Sequence, residues 1–440
     1  MTSTSPASPP PTAERGQTMR LSTLLKRPVA DSGGESLGRV SDVIVRLRGS
    51  DYPQVTGMVA AIGGGREVFV PMDKVADFDG DVLKLTTAKL DLRRFERREG
   101  EVLLSADVLG HRLIDVENAR LVRAWDLQLY RDGAEWVLSG VDTRRRPRRL
   151  FGLLGPDPHA ADGPSFRDWH DFESLIGHES SALQRRPFAR VRRLKPAQIA
   201  DLLEEASKNE ETEILGRVHD DPELEADVFE ELDEDLATRL LGARTDAEIA
   251  AVLSRMRADD AADAIAELPQ ARRQPVLDLL PSPQRTKVLT LLGFNQTSAG
   301  GLMGVDFVAV PSMTNVSDAL DAIRRSGTLQ PEALTSVHAV DSDGGLRGVA
   351  RLVTLVQADP ASTLIDVCDT DPVRVGTDTD VMDVAVLMTD YNLITIPVVD
   401  DERRLLGVIT VDDILEITLP DDWRRREAAE PPDAHHGDAR

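Results

Sequence analysis

The strongest constraint on this chain is a duplication near its carboxy end. VAVPSMTNVSDALDAI, from Val308, aligns with VRVGTDTDVMDVAVLM, from Val373, at an offset of 65 residues. SVHAVDSDGGLRGVARL aligns with TIPVVDDERRLLGVITV at an offset of 59, and the six-residue difference falls in RRSGTLQPEALTS, which reads as a longer loop. Each copy runs strand, helix, strand, turn, strand, helix, judged from short alternating runs bounded by Asp and Gly and from helical periodicity between them. Two copies predict a tandem α/β pair.

Upstream, from Leu194, the period is helical. PAQIADLLEEA, ELEADVFEEL, EDLATRLLGA, AEIAAVLSRM, DDAADAIAELP, ARRQPVLDLLP and SPQRTKVLTLL predict short helices, with Pro222, Pro269, Pro281 and Pro283 closing one helix or opening the next. Amphipathic helices repeating at about 12 residues predict a superhelix in which each hairpin buries its apolar stripe on its neighbours. Residues 201–300 hold 23 acidic and 10 basic side chains, more than half of the chain's net charge of −24. That balance argues against general nucleic-acid binding, which needs a basic face to displace counterions from phosphate, and suits a cation-binding or solubilised protein. Within the array, ADDAADAIAELP sets Asp259 and Asp263 one helical turn apart. Their carboxylates share a face and repel unless a cation or a basic partner lies between them. The alternative is a solvated acidic face capped by Asp259, which the helix dipole favours whatever the function.

Between Met19 and about Leu92, alternating runs such as VSDVIVRL, TGMVAAI and REVFVPM are separated by turn clusters, predicting strands of a small antiparallel barrel. The pattern partly recurs: the stretch from Leu21 matches that from Leu104, and eleven residues separate Asp31 from Asp42 and Asp115 from Asp126. Two related β units follow, with the aspartates expected to close turns rather than bind ligands. Arg144, Arg145, Arg146, Arg148 and Arg149 form one basic cluster, and Arg185, Arg186, Arg190, Arg192, Arg193 and Lys195 a second. Such runs can bind anionic lipid or RNA; contact with the chain's own acidic region is the reading preferred here. Phe151 to Ser181 lacks periodicity and reads as a linker with one short helix around Trp169.

A chain of 440 residues predicts two to four domains. The expected division is a disordered tail (1–18), a β-barrel (19–100), a second β unit (101–150), a linker with basic flanks (151–193), the acidic superhelix (194–295), the two α/β repeats (296–360 and 361–420) and a second disordered tail (421–440). The one cysteine, Cys368, excludes an internal disulfide and a Cys-cluster zinc site and fits a reducing compartment. The amino terminus lacks the apolar core of a signal peptide, and the longest uncharged run, Val288–Val305, carries Asn295, Gln296 and four glycines, so no transmembrane segment is expected.

Three resemblances sharpen these readings. Gly38-Arg39-Val40-Ser41-Asp42 followed by Val70-Pro71 resembles the PRC-barrel family, although the second copy, Val122-Arg123-Ala124-Trp125-Asp126, has no glycine. That family implies a docking module. LKPAQIADLLEEA, ELDEDLATRLL, ADDAADAIAELP and TSAGGLM, at Thr297 to Met303, resemble the cytosolic N domain of MgtE-type magnesium transporters and channels. The duplicated segment, ending in Gly407-Val408-Ile409-Thr410-Val411-Asp412-Asp413, resembles a tandem pair of CBS domains.

In nucleotide-binding CBS modules a Thr or Ser three residues before an Asp sits at a strand-to-helix turn, where hydroxyl and carboxylate meet phosphate and ribose; Thr410 and Asp413 fit, and Arg351-Leu352-Val353-Thr354 of the first repeat does not. The alternative for Thr410 and Asp413 is a simple helix cap. The MgtE resemblance further implies Mg2+ bridging the N and CBS domains, with Asp259 and Asp263 on one side and Asp412, Asp413 and Glu416 on the other; hard oxygen donors of this kind are those Mg2+ prefers. In the transporters the last helix leads on to a pore, whereas here LPDDWRRREAAEPPDAHHGDAR follows Thr418; His435 and His436 in it read as incidental.

The expectation is thus a multidomain α+β protein: small antiparallel β-barrel modules, an α-helical superhelix and a tandem α/β CBS pair. Its expected function is regulatory and non-enzymatic, since no nucleophile with a base, no Gly-rich phosphate loop and no paired histidine ligands on a helix face is evident. It would sense Mg2+, with an adenine nucleotide as a further ligand, form a homodimer through its CBS domains and dock an unknown protein through its barrels. The expected setting is cytoplasmic, including the periphery of a membrane protein. The alternatives are an interaction scaffold without ion sensing and an accessory subunit in magnesium transport.

Overall fold

The structure is a computed structural model that describes residues 17–48, 51–78, 80–87, 91–98, 100–144, 166–175, 190–327 and 330–419. Residues 1–16 of the first expected tail, the whole second tail with His435 and His436, and Arg145, Arg146, Arg148, Arg149, Arg185 and Arg186 lie outside these residues, whereas Thr18, expected in the first tail, opens the strand Thr18–Arg20. The chain divides into two compact units, one reaching Leu232 and the other beginning at Asp233.

In the first unit, Ser36–Arg48 and Asp51–Ile62 form a long antiparallel hairpin at the centre of an eleven-stranded sheet. Arg66–Pro71 extends it on one side and Pro28–Ala30 on the other. Pro28–Ala30 also pairs in parallel with Leu83–Leu85, a local departure from the antiparallel expectation. The second β repeat is woven into the same sheet. Glu135–Asp142 pairs with Asp126–Asp132 and reaches Asp51–Ile62 at Val137 and Gln54, while Thr18–Arg20 takes the other edge of Asp126–Asp132. One apolar core runs from Leu21, Val43, Met58 and Val70 to Leu113, Leu127 and Trp136, so both repeats are buried against each other.

The repeated aspartates explain how. Asp42 accepts from the backbone N–H of Ser105 (2.7 Å) and Ala106 (3.0 Å), at the start of the helical turn Leu104–Val108 of the other repeat. Asp126 accepts from the backbone N–H of Ser22 (3.1 Å) and its hydroxyl (2.6 Å), at the matching turn Leu21–Leu24. Each repeat therefore satisfies the unpaired first-turn donors of the other. Asp31 closes a local turn, as expected, accepting from Gly33 and Glu35; Asp115 accepts from Asn118 but also from Arg167, 52 residues on, so its role is not local alone.

Within the stretch expected as a linker, a helical turn at Trp169–Asp171 is present, flanked by two short strands. Arg167–Asp168 pairs with Glu135–Asp142, and Phe172–Ser174 joins Arg112–Asp115 and Arg120–Arg123 in a second sheet. Three helices follow, Pro196–Glu205, Lys208–Val218 and Pro222–Glu230. Lys208–Val218 adds to the helices read from periodicity; it is polar and buries little beyond Ile214 and Val218, yet the Ser207 and Glu210 capping box marks its start. Of the second basic cluster, Arg192 meets the chain's own acidic region, pairing with Asp220 at 3.1 Å; outside the cluster, a further arginine bridges the same neighbourhood. Arg217 lies 2.9 Å from Glu173 and donates to the Ser174 carbonyl.

The second unit begins with the helices Glu234–Gly242, Asp246–Leu253, Ala258–Glu267, Gln270–Leu279 and Ser282–Leu291. Two three-stranded sheets follow, Val308–Pro311, Ser336–Val340, Leu346–Arg351 and Val375–Gly376, Thr395–Val399, Leu405–Thr410. In each, the first strand runs parallel to the second and the second antiparallel to the third, as duplication requires. Ser336 and Thr395, at equivalent positions, bring their hydroxyls within 2.9 Å of each other. The segment preceding the first sheet is laced to the second repeat, with Gly304 and Val408 exchanging two backbone hydrogen bonds of 2.9 Å.

Candidate cation and nucleotide site

The helix Ala258–Glu267 buries Ala258, Ala261, Ala262 and Ile265 along one face, and the small alanines carry Asp259 inward with them to 8% exposure. Asp259 lies in the first turn, but the N-cap is Arg257 and no side-chain cap bond is made, so Asp259 is not the helix cap; the backbone N–H groups of Asp259 and Asp260 still pull its carboxyl down. Burial nevertheless raises its carboxyl above the usual range; Arg257 pulls it down and Asp306 adds repulsion. One turn on, Asp263 accepts from the Gln296 side chain at 2.8 Å. Burial pushes Asp263 up to about 6, with Asp259 contributing repulsion.

In the second repeat, Leu405–Thr410 ends where the helix Val411–Thr418 begins, and Thr410 is its N-cap. Thr410 and Asp413 are 0% and 2% exposed. The Asp413 carboxylate accepts from the Thr410 backbone N–H at 2.7 Å and its hydroxyl at 2.9 Å. It is also approached from outside its own repeat. Arg257 Nη1 donates to Asp413 Oδ1 at 3.2 Å, and Gln330 Nε2 lies 3.1 and 3.2 Å from the two oxygens. Burial pushes Asp413 up to about 6; its backbone bond to Thr410 opposes this, and Asp259 adds repulsion.

Arg257 organises the cluster. Its Nε donates to Asp260 at 2.7 Å, and its Nη2 lies 3.6 Å from Glu416. The structure thus brings Asp260, Asp413 and Glu416 around one guanidinium, sets Asp259 within reach of its charge, leaves Asp263 on Gln296, and exposes Asp412. Among the described residues no group of three or more His, Cys, Asp or Glu side chains is arranged to hold a metal ion. The donors are of the hard-oxygen type, and burial raises the carboxyls of Asp259, Asp263 and Asp413, so added positive charge there would be welcome and the chemistry fits Mg2+; a guanidinium lies among them in this arrangement. Arg257 and Gln330 are the site residues that motif reading missed. The first lies just before the acidic helix and the second in the six-residue insertion, so each is adjacent to a recognised feature.

Comparison with known proteins assigns the modules. Residues 16–92 match the model of the PRC-barrel domain, 194–297 that of the MgtE intracellular N domain and 364–419 that of the CBS domain. The chain combines PRC-barrel, MgtE N and CBS domains. It is 34% identical over 125 residues to the magnesium transporter MgtE of Thermus thermophilus, a match that covers 28% of this chain and 28% of that relative's length. Among solved structures, the cytosolic domain of the Mg2+ channel MgtE in complex with ATP is 29% identical and covers 54% of this chain and 94% of its own, with a TM-score of 0.49. The soluble part of a magnesium transporter is 24% identical over 53% of this chain and 92% of its own, with a TM-score of 0.47. No helix among the described residues is long and apolar enough to cross a membrane.

Proposed function

We propose that this chain is a regulatory protein that responds to Mg2+ through its MgtE N and CBS modules, takes an adenine nucleotide at the Thr410 and Asp413 turn, and docks a protein partner through its PRC-barrel region. The observation that carries the reading is that Arg257 holds Asp260, Asp413 and Glu416 together while Asp259 repels Asp413 nearby, with burial raising both Asp259 and Asp413. Asp259, Asp263, Asp413 and Glu416 would hold the ion, with Asp412 at its exposed edge. Mg2+ supplies two positive charges to carboxylates that burial disfavours, and so couples its concentration to the packing of the acidic helix on the last CBS helix. Calorimetry is the test: millimolar MgCl2 should give a saturable heat with wild type and none with the double variant Asp259→Ala, Asp263→Ala. Equal heats from both proteins, or none from either, would overturn the reading.

The CBS helices also carry the proposed homodimer. Met382 and Val386, one turn apart on Val381–Asp390, are exposed, as are Val411 and Leu415 on Val411–Thr418 and Val353 and Val356 on Leu352–Gln357. Apolar stripes on three helices of one unit point to a partner surface, and a second copy presents the same stripes by symmetry. Light scattering should find a dimer for wild type and a folded monomer for Met382→Glu with Val386→Glu; a monomeric wild type at all concentrations would exclude it.

A further inference from the structure

The nucleotide turn is not left open in this chain. Gln330, 4% exposed, comes from the insertion that makes the first repeat longer than the second, and its carboxamide nitrogen lies on both oxygens of Asp413. The other end of the carboxamide rests against Gly304. A Cβ built on Gly304 would lie 2.0 Å from Gln330 Oε1, so only glycine leaves room for the side chain in this position. Gly304 is itself fixed, through its paired backbone bonds to Val408, two residues before Thr410. A buried carboxylate on one side, a glycine cradle on the other and the Gln330 carboxamide between them make a built contact, not a passing one.

We propose that Gln330 is an internal occupant of the Thr410 and Asp413 turn, an autoinhibitory contact that an entering ligand must displace. The chemistry of the contact supports this. A ribose hydroxyl would reach Asp413 as a hydrogen-bond donor, and Gln330 Nε2 already is one; with Thr410 on Oδ2 and Arg257 on Oδ1, the carboxylate is surrounded by donors from three segments of the chain. The ligand therefore binds only the fraction of molecules in which Gln330 has swung away, and its apparent affinity falls by that fraction. The insertion thus sets the concentration at which the second CBS repeat responds. This inference rests on the adenine-nucleotide reading above.

The experiment is a calorimetric titration of ATP into the full chain. Gln330→Ala removes the occupant, and Gly304→Ala expels it by filling the cradle while leaving Gln330 in the sequence. Both should tighten ATP binding by about tenfold or more over wild type, as expected when the open form is a minor species, and Asp413→Ala should abolish it. Thermal melts establish that each variant is folded, and agreement between two unrelated substitutions separates displacement from local damage. Wild type that binds ATP as tightly as both variants would overturn the occlusion while leaving the nucleotide reading in place. Failure of every protein to bind ATP would overturn both.

Discussion

Replacing Arg257 with glutamine is expected to make the stability of the second unit depend on Mg2+ far more than it does in wild type. In chelator the Arg257→Gln protein should melt about 6–12 °C below wild type, and millimolar MgCl2 should recover most of that loss. The reasoning starts from charge. Arg257 bonds to Asp260 and Asp413 and lies 3.6 Å from Glu416, and its side chain is only 18% exposed. Removing one member of a buried ionic cluster leaves the others uncompensated, at a cost of about 3 kcal/mol. A drop of about 2–4 °C per kcal/mol is usual for a unit of this size. Asp413 and Asp259 then have two remedies, protonation or a divalent cation, because burial already holds both carboxyls above their ordinary range. On the proposed Mg2+ reading the guanidinium and the ion would compete for one set of oxygens, and deleting the first should strengthen binding of the second. Melting curves in chelator and in MgCl2 measure this directly; an unchanged gap between the two conditions would show that Arg257 and the ion do not share a site.

The sequence made the parts legible far better than their junctions. Period and duplication located the α/β repeats because each is a local pattern, and the structure gives both the same parallel and antiparallel strand pairing. The capping pattern at Thr410 and Asp413 was readable for the same reason, being contained in four residues. Arg257 and Asp413 are 156 positions apart, and no window shows that they touch. Gln330 was hidden differently: an insertion in an otherwise repeated unit reads as loop length, while its chemistry depends on Gly304, which makes room for it. The strands Arg167–Asp168 and Phe172–Ser174 are too short for alternation to register, so a sheet edge reads as linker. Arg167, paired to Asp115 and Glu117 and stacked on Phe172 at 4.7 Å, holds that edge in place.

The crossed aspartates of the β repeats carry the other large expected effect. Asp126→Ala should destabilise the first unit by about 2–4 kcal/mol, against about 1 kcal/mol or less for Asp31→Ala. Asp126 is buried and holds three donors, the Ser22 backbone N–H, the Ser22 hydroxyl and the Leu127 backbone N–H. Alanine leaves the buried Leu127 N–H and the partly buried Ser22 N–H and hydroxyl without their acceptor, and an unsatisfied donor that is buried costs more than a mean hydrogen bond is worth. Asp31 serves an exposed turn, where water replaces it. Asp42→Ala should resemble Asp126→Ala, since it strips Val43, Ser105 and Ala106 of one acceptor group. Asparagine is no remedy at position 42. Its oxygen can keep the Val43 and Ser105 bonds, but its NH2 would then face the Ala106 N–H, donor against donor. Because each aspartate caps the opposite repeat, the two substitutions loosen one shared junction, and the double variant should lose less than the sum of the single losses. Urea melts of wild type and the four variants decide the matter: strict additivity, or an Asp126→Ala loss no larger than that of Asp31→Ala, would mean that the repeats are held by their common apolar core and not by the exchanged caps.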